Sequence, residues 1–584
     1  MFCLRLPSHL RTYLVAGAAL LALGSSVQTQ AQAGPPPFVL HDGDTVVFYG
    51  DSITDQRLYT TDVENYVVTR FPTLHVRFVH SGWGGDRVTG GGGGPIDRRL
   101  LRDVFAYKPN MVTIMLGMND GGYHTFDQPT YDTYTQGYTH IVDSIKQTLP
   151  GVRLTLIEPS PYDDVTRPPQ FDGGYNGVLV RYAQFDKDLA AKDSLGVADF
   201  NTPMVAMLQK ANTADPALAQ KIIPDRIHPS PAGHLVMAEA LIKAWNGPSV
   251  ITDVQIDAAT KRVVGAKNSK VTGLAAAGKT LRWTQTDGAL PLPLNADDPS
   301  VALVLKSSDF VSAMDQETLR VSGLSAAASY TLLIDDHEIS NFTTGQFAAG
   351  VNLALLDTPM TQQAAQVANL TTKHNDLHFR RWRSIQVPLE QDATDAITQA
   401  LPPLLAALDA QEAEIVTQQQ AAAVPIVHRY QLVPALPQPA GPNLALGKPY
   451  TTSAPNQYGF GTDALTDGSW EDTGVHTFAT DDRDTFPKTA TIDLGAVSKL
   501  SSVRVGMPPF GSTKTVQVSV SADGQTFTPV GSYVFTQNHA ERHLYRFAPV
   551  TGRYVRLTYS DHYDAGAGYN TLFSFTSEVE VYGP

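Results

Sequence analysis

Thr45-Val-Val-Phe-Tyr49 runs directly into Gly50-Asp51-Ser52. A run of β-branched and aromatic residues without polar alternation predicts a strand buried on both faces, the pattern of a parallel sheet covered by helices. Val76–Val79, Met111–Leu116 and Leu154–Ile157 read as further strands of the same kind. Pro95–Phe105, Tyr131–Thr148 and Val178–Lys192 read as helices between them. Strand and helix in alternation predict an α/β domain over residues 38–247, with a parallel sheet between helical layers. It closes where Ser230 caps and Pro231 opens a helix that runs through Ala244 to an Asn246-Gly247 stop.

In such a sheet reactive groups gather beyond the carboxyl ends of the strands, which is where Ser52 falls. Three more segments carry chemistry. Ser81-Gly-Trp-Gly-Gly85-Asp86 follows the strand Val76–Val79, and Gly117-Met-Asn119-Asp120 follows Met111–Leu116. Asp225-Arg-Ile-His228 precedes the closing helix. A serine hydroxyl needs an imidazole to take its proton, and the imidazole needs a carboxylate to fix its tautomer. The three-residue spacing lets Asp225 face the ring of His228. A glycine amide and an asparagine amide are neutral donors suited to a developing oxyanion.

Together, Gly50-Asp-Ser52, Gly85, Gly117-x-Asn119-Asp120 and Asp225-x-x-His228 closely resemble the blocks of the SGNH (GDSL-type) hydrolases. The resemblance covers residues 38–247 and implies a three-layer, flavodoxin-like α/β fold. It implies Ser52 as nucleophile, His228 as base and Asp225 as its orienter. The oxyanion hole would comprise the backbone amides of Ser52 and Gly85 with the Asn119 side chain. His80 stands where many members have Asn. The glycine run Gly90–Gly94 is followed by Pro95-Ile96 rather than Lys-Ser or Lys-Thr, so it is no phosphate loop. No HExxH, paired-cysteine or EF-hand pattern occurs, so no cofactor is expected for catalysis.

Past residue 250 the pattern changes. Lys279–Trp283, Val301–Leu305, Leu319–Val321 and Tyr330–Ile334 predict a small β-sandwich over 250–350. Residues 351–424 are Ala- and Gln-rich and predict helix, clearest from Pro403 to Ala423. Residues 425–442 hold five prolines and read as a linker. From 443 to 584 the pattern is again all-β, with strands such as Thr489–Asp493, Thr515–Ser521 and Arg553–Tyr559. Asn443-Leu-Ala-Leu-Gly-Lys-Pro449, Ala464-Leu-Thr-Asp-Gly468 with Trp470, Ala490-Thr-Ile-Asp-Leu-Gly495 and Glu578-Val-Glu-Val-Tyr582 resemble a discoidin-type, galactose-binding-like jelly roll. That resemblance implies carbohydrate binding, with Trp470, His476 and Arg483 in the loop region for it. It also implies a structural calcium, with Asp467 and Glu578 as ligands.

The first 33 residues read as a secretory signal. Arg5 and Arg11 precede the apolar run Tyr13–Gly24, and Ala31-Gln32-Ala33 offers a cleavage site. That run is shorter than the ~20 apolar residues a bilayer span needs, so no integral membrane segment is expected after cleavage. The single cysteine, Cys3, lies inside this leader. Losing Arg5 and Arg11, and no acidic residue, takes the formal charge from −14 to −16. Such an acidic surface argues against nucleic acid as a partner. The expectation is a secreted or periplasmic serine esterase acting on an acylated, chiefly O-acetylated, carbohydrate. The alternatives are a lipase, lysophospholipase or thioesterase of the same fold, and a catalytically silent carbohydrate-binding protein.

Overall fold

The computed structural model describes residues 37–325, 329–391, 393–435, 439, 441–456, 458–459, 464–471, 476–537, 540–564 and 572–584. The expected leader lies outside the described residues. The chain divides into two compact units, residues 1–435 and 436–584.

The first unit is built on five parallel strands in the spatial order Arg77–Gly82, Thr45–Gly50, Met111–Met115, Arg153–Ile157 and Gly196–Ala198. Phe48 registers with His80 on one side and with Thr113 on the other. Val46 through Tyr49 are completely buried, as a sheet covered on both faces requires. Leu58–Arg70, Gln128–Thr148, Gly174–Asp193 and Pro231–Ala244 supply the main helical layers. The second of these begins at Gln128 rather than Tyr131 because the Asp127 carboxylate accepts from Thr130 N at 3.0 Å and so caps it.

A β-sandwich follows. One sheet runs Val351–Asn352, Gln316–Ser322, Val250–Asp257, Arg262–Lys267; the other runs Ser269–Ala277, Thr280–Asp287, Val427–Pro434, Ser329–Ile334, His337–Thr343. Val254, Ile256 and Leu319 of the first share a core with Trp283, Leu332 and Tyr430 of the second.

Residues 425–442 are not all linker, because Val427–Pro434 is the central strand of the second sheet. Leu432 pairs with Leu281 on one side and Leu332 on the other. Alternate burial of His428, Tyr430 and Leu432 outweighs the prolines, which fall at or outside the strand ends where no ladder N–H is lost. The sandwich therefore extends beyond 250–350, with the helical segment inserted before its last strand. Val301–Leu305, expected as a strand, lies within the helix Pro299–Ser307, which Asp298 caps through Ser300 N and Val301 N.

The inserted segment comprises Pro359–Phe379, a π-helical stretch Arg380–Gln386, Val387–Gln391 and Asp395–Ala422. The last helix starts at Asp395 under a Thr394 cap, earlier than the expected stretch from Pro403, and carries Pro402 and Pro403 inside it. The segment is bound to Leu58–Arg70 by buried polar contacts. Glu64 accepts from Asn375 Nδ2 at 3.2 Å and Gln419 Nε2 at 3.0 Å, and pairs with His374 Nε2 at 2.5 Å.

The second unit is an antiparallel β-sandwich. Its main sheet runs Tyr450–Thr452, Lys488–Met507, Glu541–Tyr559, Thr515–Ser521, Thr528–Val534, with Glu578–Tyr582 also paired to Lys488–Met507. Ile492, Val503, Val518, Val555 and Val581 are among its fully buried core residues.

Candidate active site

Ser52 opens a one-turn helix, Ser52–Asp55, at the carboxyl end of the strand Thr45–Gly50, next to the central strand Met111–Met115. Asp51 caps that turn, accepting from Ile53 N at 3.0 Å. Burial pushes the Asp51 carboxyl up to about 7. The turn needs glycine beneath and beside it. A Cβ on Gly50 would lie 2.3 Å from Thr54 Oγ1 and 2.8 Å from Met115 O, and one on Gly82 would lie 2.2 Å from Asp55 N. Gly50 was visible in the sequence as part of its block; Gly82 lies within the segment Ser81–Asp86, where the sequence assigned it no role.

The Ser52 hydroxyl donates to His228 Nε2 at 2.8 Å, and His228 Nδ1 lies 2.6 Å from Asp225 Oδ2. With a carboxylate at Nδ1, the neutral ring carries its hydrogen there and presents Nε2 as the acceptor. The other oxygen of Asp225 accepts from His228 N and Ile227 N at 2.7 and 2.9 Å. Partial burial works against the Asp225 charge, but these hydrogen bonds, led by the one from the His228 ring, hold its carboxyl below the usual range. Arg226 has φ +73°, a cost met by its guanidinium, which donates to Asp163 O and Pro168 O at 3.1 and 3.0 Å. Behind the site, His234 accepts from Tyr59 N at 3.1 Å and bonds Gln56 Oε1 at 3.0 Å, while Gln56 Nε2 donates to Pro229 O at 3.3 Å. His234 and Gln56 thus join the His228 loop to the Ser52 turn. The sequence placed His234 beside the motif without revealing this task.

Gly85 has φ +77°, which accounts for glycine there. A Cβ on the neighbouring Gly84 would come 3.9 Å from Ser52 Cβ, so this loop lies against the serine. Asn119 Nδ2 donates to Asp86 O at 3.0 Å, bringing Asn119 to the same loop. An amide nitrogen carries two hydrogens, and one is used in this contact. Tyr123 donates its hydroxyl to Asn119 Oδ1 at 2.8 Å and so fixes which end of the amide is the donor. Asp120 ties the two blocks together, accepting from Val88 N at 2.9 Å and Gly117 N at 3.0 Å. Tyr123 was not legible as a site residue, because no motif announces the local turn that returns its hydroxyl to Asn119, four positions earlier. The structure therefore assembles all five expected residues, Ser52, Gly85, Asn119, Asp225 and His228, at one end of the sheet.

His80 points away from this cluster. It is buried, bonded to Thr60 Oγ1 at 2.7 Å and Glu64 Oε2 at 3.3 Å. The glycine run forms a short ladder, Gly90 with Pro95 and Gly91 with Gly94. A Cβ on Gly93 would lie 2.7 Å from the Trp83 ring. Glycine is needed there because the backbone lies directly on Trp83.

In the second unit Asp467 pairs with His476 Nδ1 at 2.7 Å, and Glu578 accepts from Gly468 N at 3.1 Å. Glu578 is fully buried and, among the described residues, its Oε1 has no hydrogen-bond partner. Burial, with the Asp467 carboxylate beside it, pushes Glu578 up to about 8. An orphaned buried oxygen next to a second carboxylate fits a hard cation. Among the described residues, no group of three or more His, Cys, Asp or Glu side chains could hold a metal. Trp470 packs on Gly506, with the Arg542 guanidinium 4.4 Å from its ring centre. Arg483 instead lies by Asp481, at 3.7 Å.

A serine on an imidazole–carboxylate pair, over a parallel α/β sheet and beside amide donors, defines the serine-hydrolase class of sites. Residues 48–236 match the GDSL-like Lipase/Acylhydrolase family, and residues 464–557 match the NedA-like galactose-binding domain. An acetylxylan esterase of Geobacillus stearothermophilus is 27% identical over 226 residues, 34% of this chain and 93% of that protein. A gut microbial diltiazem-metabolizing enzyme of solved structure is 27% identical with a TM-score of 0.60, covering 67% of this chain and 98% of that one. That extent exceeds the α/β domain, so architecture past residue 247 is shared as well. The chain is a carboxylic ester hydrolase with a GDSL-type catalytic domain and a C-terminal galactose-binding-like domain. Among the described residues, no helix is long and apolar enough to cross a membrane.

Proposed function

We propose that the chain is an exported, secreted or periplasmic, serine esterase that removes O-acyl groups, chiefly acetyl, from a polysaccharide or glycan. The observation that carries this reading is the continuous relay from Ser52 Oγ through His228 to Asp225 beside Asn119. Ser52 Oγ attacks the ester carbonyl carbon while its proton passes to His228 Nε2. The amides of Ser52 and Gly85 and the Asn119 side chain hold the resulting oxyanion. Collapse breaks the bond to the sugar oxygen, which takes the proton from His228, and leaves an acyl-serine. Water, deprotonated by His228, attacks that ester; the acid departs and Ser52 regains its proton. Asp225 keeps the ring in register and stabilises the imidazolium.

The similarity to an acetylxylan esterase supports an acetyl group on carbohydrate. So does the appended galactose-binding-like domain, in which Trp470, His476 and Arg483 are the proposed sugar contacts. Asp467 and Glu578 would hold a structural calcium, which would keep the buried Glu578 charged. Calorimetry of the full chain with calcium and with a chelator tests that assignment, and identical transitions would remove it. The substrate is tested by acetate release from acetylated polysaccharides beside a chain-length series of aryl esters. Release of acetate and a steep loss of rate beyond short acyl chains are expected. Preference for long chains, with no acetate released, would move the reading to a lipase or thioesterase.

A further inference from the structure

The inserted helical segment reaches the catalytic domain at Trp83, two positions before Gly85. Trp83 is held on several sides. The Gly92–Gly93 backbone lies against its ring, and the Arg99 and Arg102 guanidinium carbons stand 5.3 and 5.2 Å from the ring centre. Two further neighbours, Trp382 and Arg383, come from the π-helical stretch Arg380–Gln386. Such widened turns recur at functional sites, because they aim side chains that a regular helix could not. Trp382 donates Nε1 to the buried Asp103 Oδ1 at 2.6 Å and meets Trp83 edge-on, with centroids 5.6 Å apart. The Arg383 guanidinium carbon lies 3.2 Å from the Trp83 ring centre.

Arg383 also closes a circuit back to the nucleophile. Its Nη2 donates to Asp55 Oδ2 at 3.4 Å and its Nη1 to Gly82 O at 3.5 Å. Asp55 ends the one-turn helix that Ser52 begins. The same Asp55 oxygen accepts from Gly84 N at 3.1 Å. One carboxylate therefore ties the Ser52 turn to the loop that presents Gly85, and Arg383 supports that carboxylate.

We propose that Arg383, delivered by the inserted helices, is a positioning residue for ester hydrolysis that holds Asp55 and Trp83 so that the Gly84–Gly85 turn faces the oxyanion. The proposal rests on the reading of Ser52 and Gly85 given above. Burial raises the Asp55 carboxyl, and the Arg383 charge acts against that rise, with smaller help from Arg57 and Arg99. Without Arg383 the Asp55 charge that receives Gly84 N is less favoured. A donor displaced by a fraction of an ångström is felt mainly in the transition state, where the oxyanion is fullest. The inserted segment is then part of the catalytic apparatus, which accounts for its contact with this loop.

The test uses the full chain and a small aryl acetate. Arg383→Ala should lower kcat by about 10- to 100-fold with KM within about twofold, and Arg383→Lys should lie between it and the parent. Added guanidinium should recover several-fold of the lost kcat in Arg383→Ala. Combining Arg383→Ala with Asp55→Asn should cost little more than Asp55→Asn alone, because both act through one carboxylate. Unchanged kcat in Arg383→Ala would overturn the proposal. So would a loss that guanidinium does not recover and that accompanies a lowered melting temperature, because Arg383 would then be merely structural. Ser52→Ala, run alongside, separates the two readings: activity surviving there overturns the nucleophile assignment. An inactive Ser52→Ala beside an unimpaired Arg383→Ala overturns only the role of Arg383.

Discussion

Asn119 is held from two sides, by Asp86 O at 3.0 Å on its nitrogen and Tyr123 OH at 2.8 Å on its oxygen. A donor fixed in this way would cost no reorganisation when negative charge develops, which is the source of the rate effect proposed for it. Asn119→Ala should therefore lower kcat about 10²–10³-fold with little change in KM. Steady-state kinetics on a soluble ester checks this, and a loss confined to KM would make Asn119 a ground-state binding residue. At this scale the sequence was informative where chemistry imposes a residue type, as with Ser52, Asn119, Asp225 and His228. It was uninformative where a residue acts through a contact distant in sequence. Gln56, His234 and Arg383 carry no motif, Gly82 is fixed only by the close passage of the Ser52 turn, and even the local bond from Tyr123 to Asn119, four positions away, has no pattern that announces it.

The inserted helices are fastened to Leu58–Arg70 by ionisable groups almost excluded from water. Glu64 meets His374 and His80, while Glu412 lies 3.2 Å from His378 and 3.7 Å from His374. Burial opposes charge on Glu64, His374, Glu412 and His80. The facing carboxylates nevertheless push His374 up to about 10, and the histidines hold Glu64 below the usual range and Glu412 down to about 2. The depressed carboxyls stabilise the fold above about pH 4.5, and that stability is lost as pH falls through their folded values. The raised His374 stabilises it below about pH 6.5, and that contribution is lost as pH climbs toward 10. Denaturant midpoints of the full chain should thus be highest between these limits. Glu64→Gln should lower stability by about 3–5 kcal/mol and flatten both slopes; an unchanged pH profile would contradict this account. Elements were legible wherever period and caps agreed. Val427–Pro434 was obscured by flanking prolines and by the long insertion separating it from its sheet neighbours. Val301–Leu305 was misread because a short apolar run suits strand and helix alike, and the Asp298 cap decides between them.

Over the whole molecule the described groups of the site all lie in the first unit, residues 1–435, and the galactose-binding-like fold is the second. A chain ending in 436–442 keeps the strand Val427–Pro434 and should hydrolyse a small soluble ester at nearly the full-length rate. On an insoluble acetylated polymer it should be slower, because a tethered binding domain raises local substrate concentration. Equal rates on the polymer with and without the second unit would remove its proposed role. The order of folds was legible in the sequence because each has its own periodicity. The joining of sandwich, insertion and catalytic domain into one unit was not, since it depends on long-range contacts such as Glu64 with His374. The central claim is that Ser52, activated by His228, forms the acyl-enzyme. Its most direct test is mass-spectrometric mapping of a fluorophosphonate adduct, paired with ester hydrolysis by a folded Ser52→Ala protein. A single adduct on Ser52, and a rate lowered by at least about 10³-fold in the variant, is the predicted result. An adduct on another residue, with turnover intact in Ser52→Ala, would contradict it.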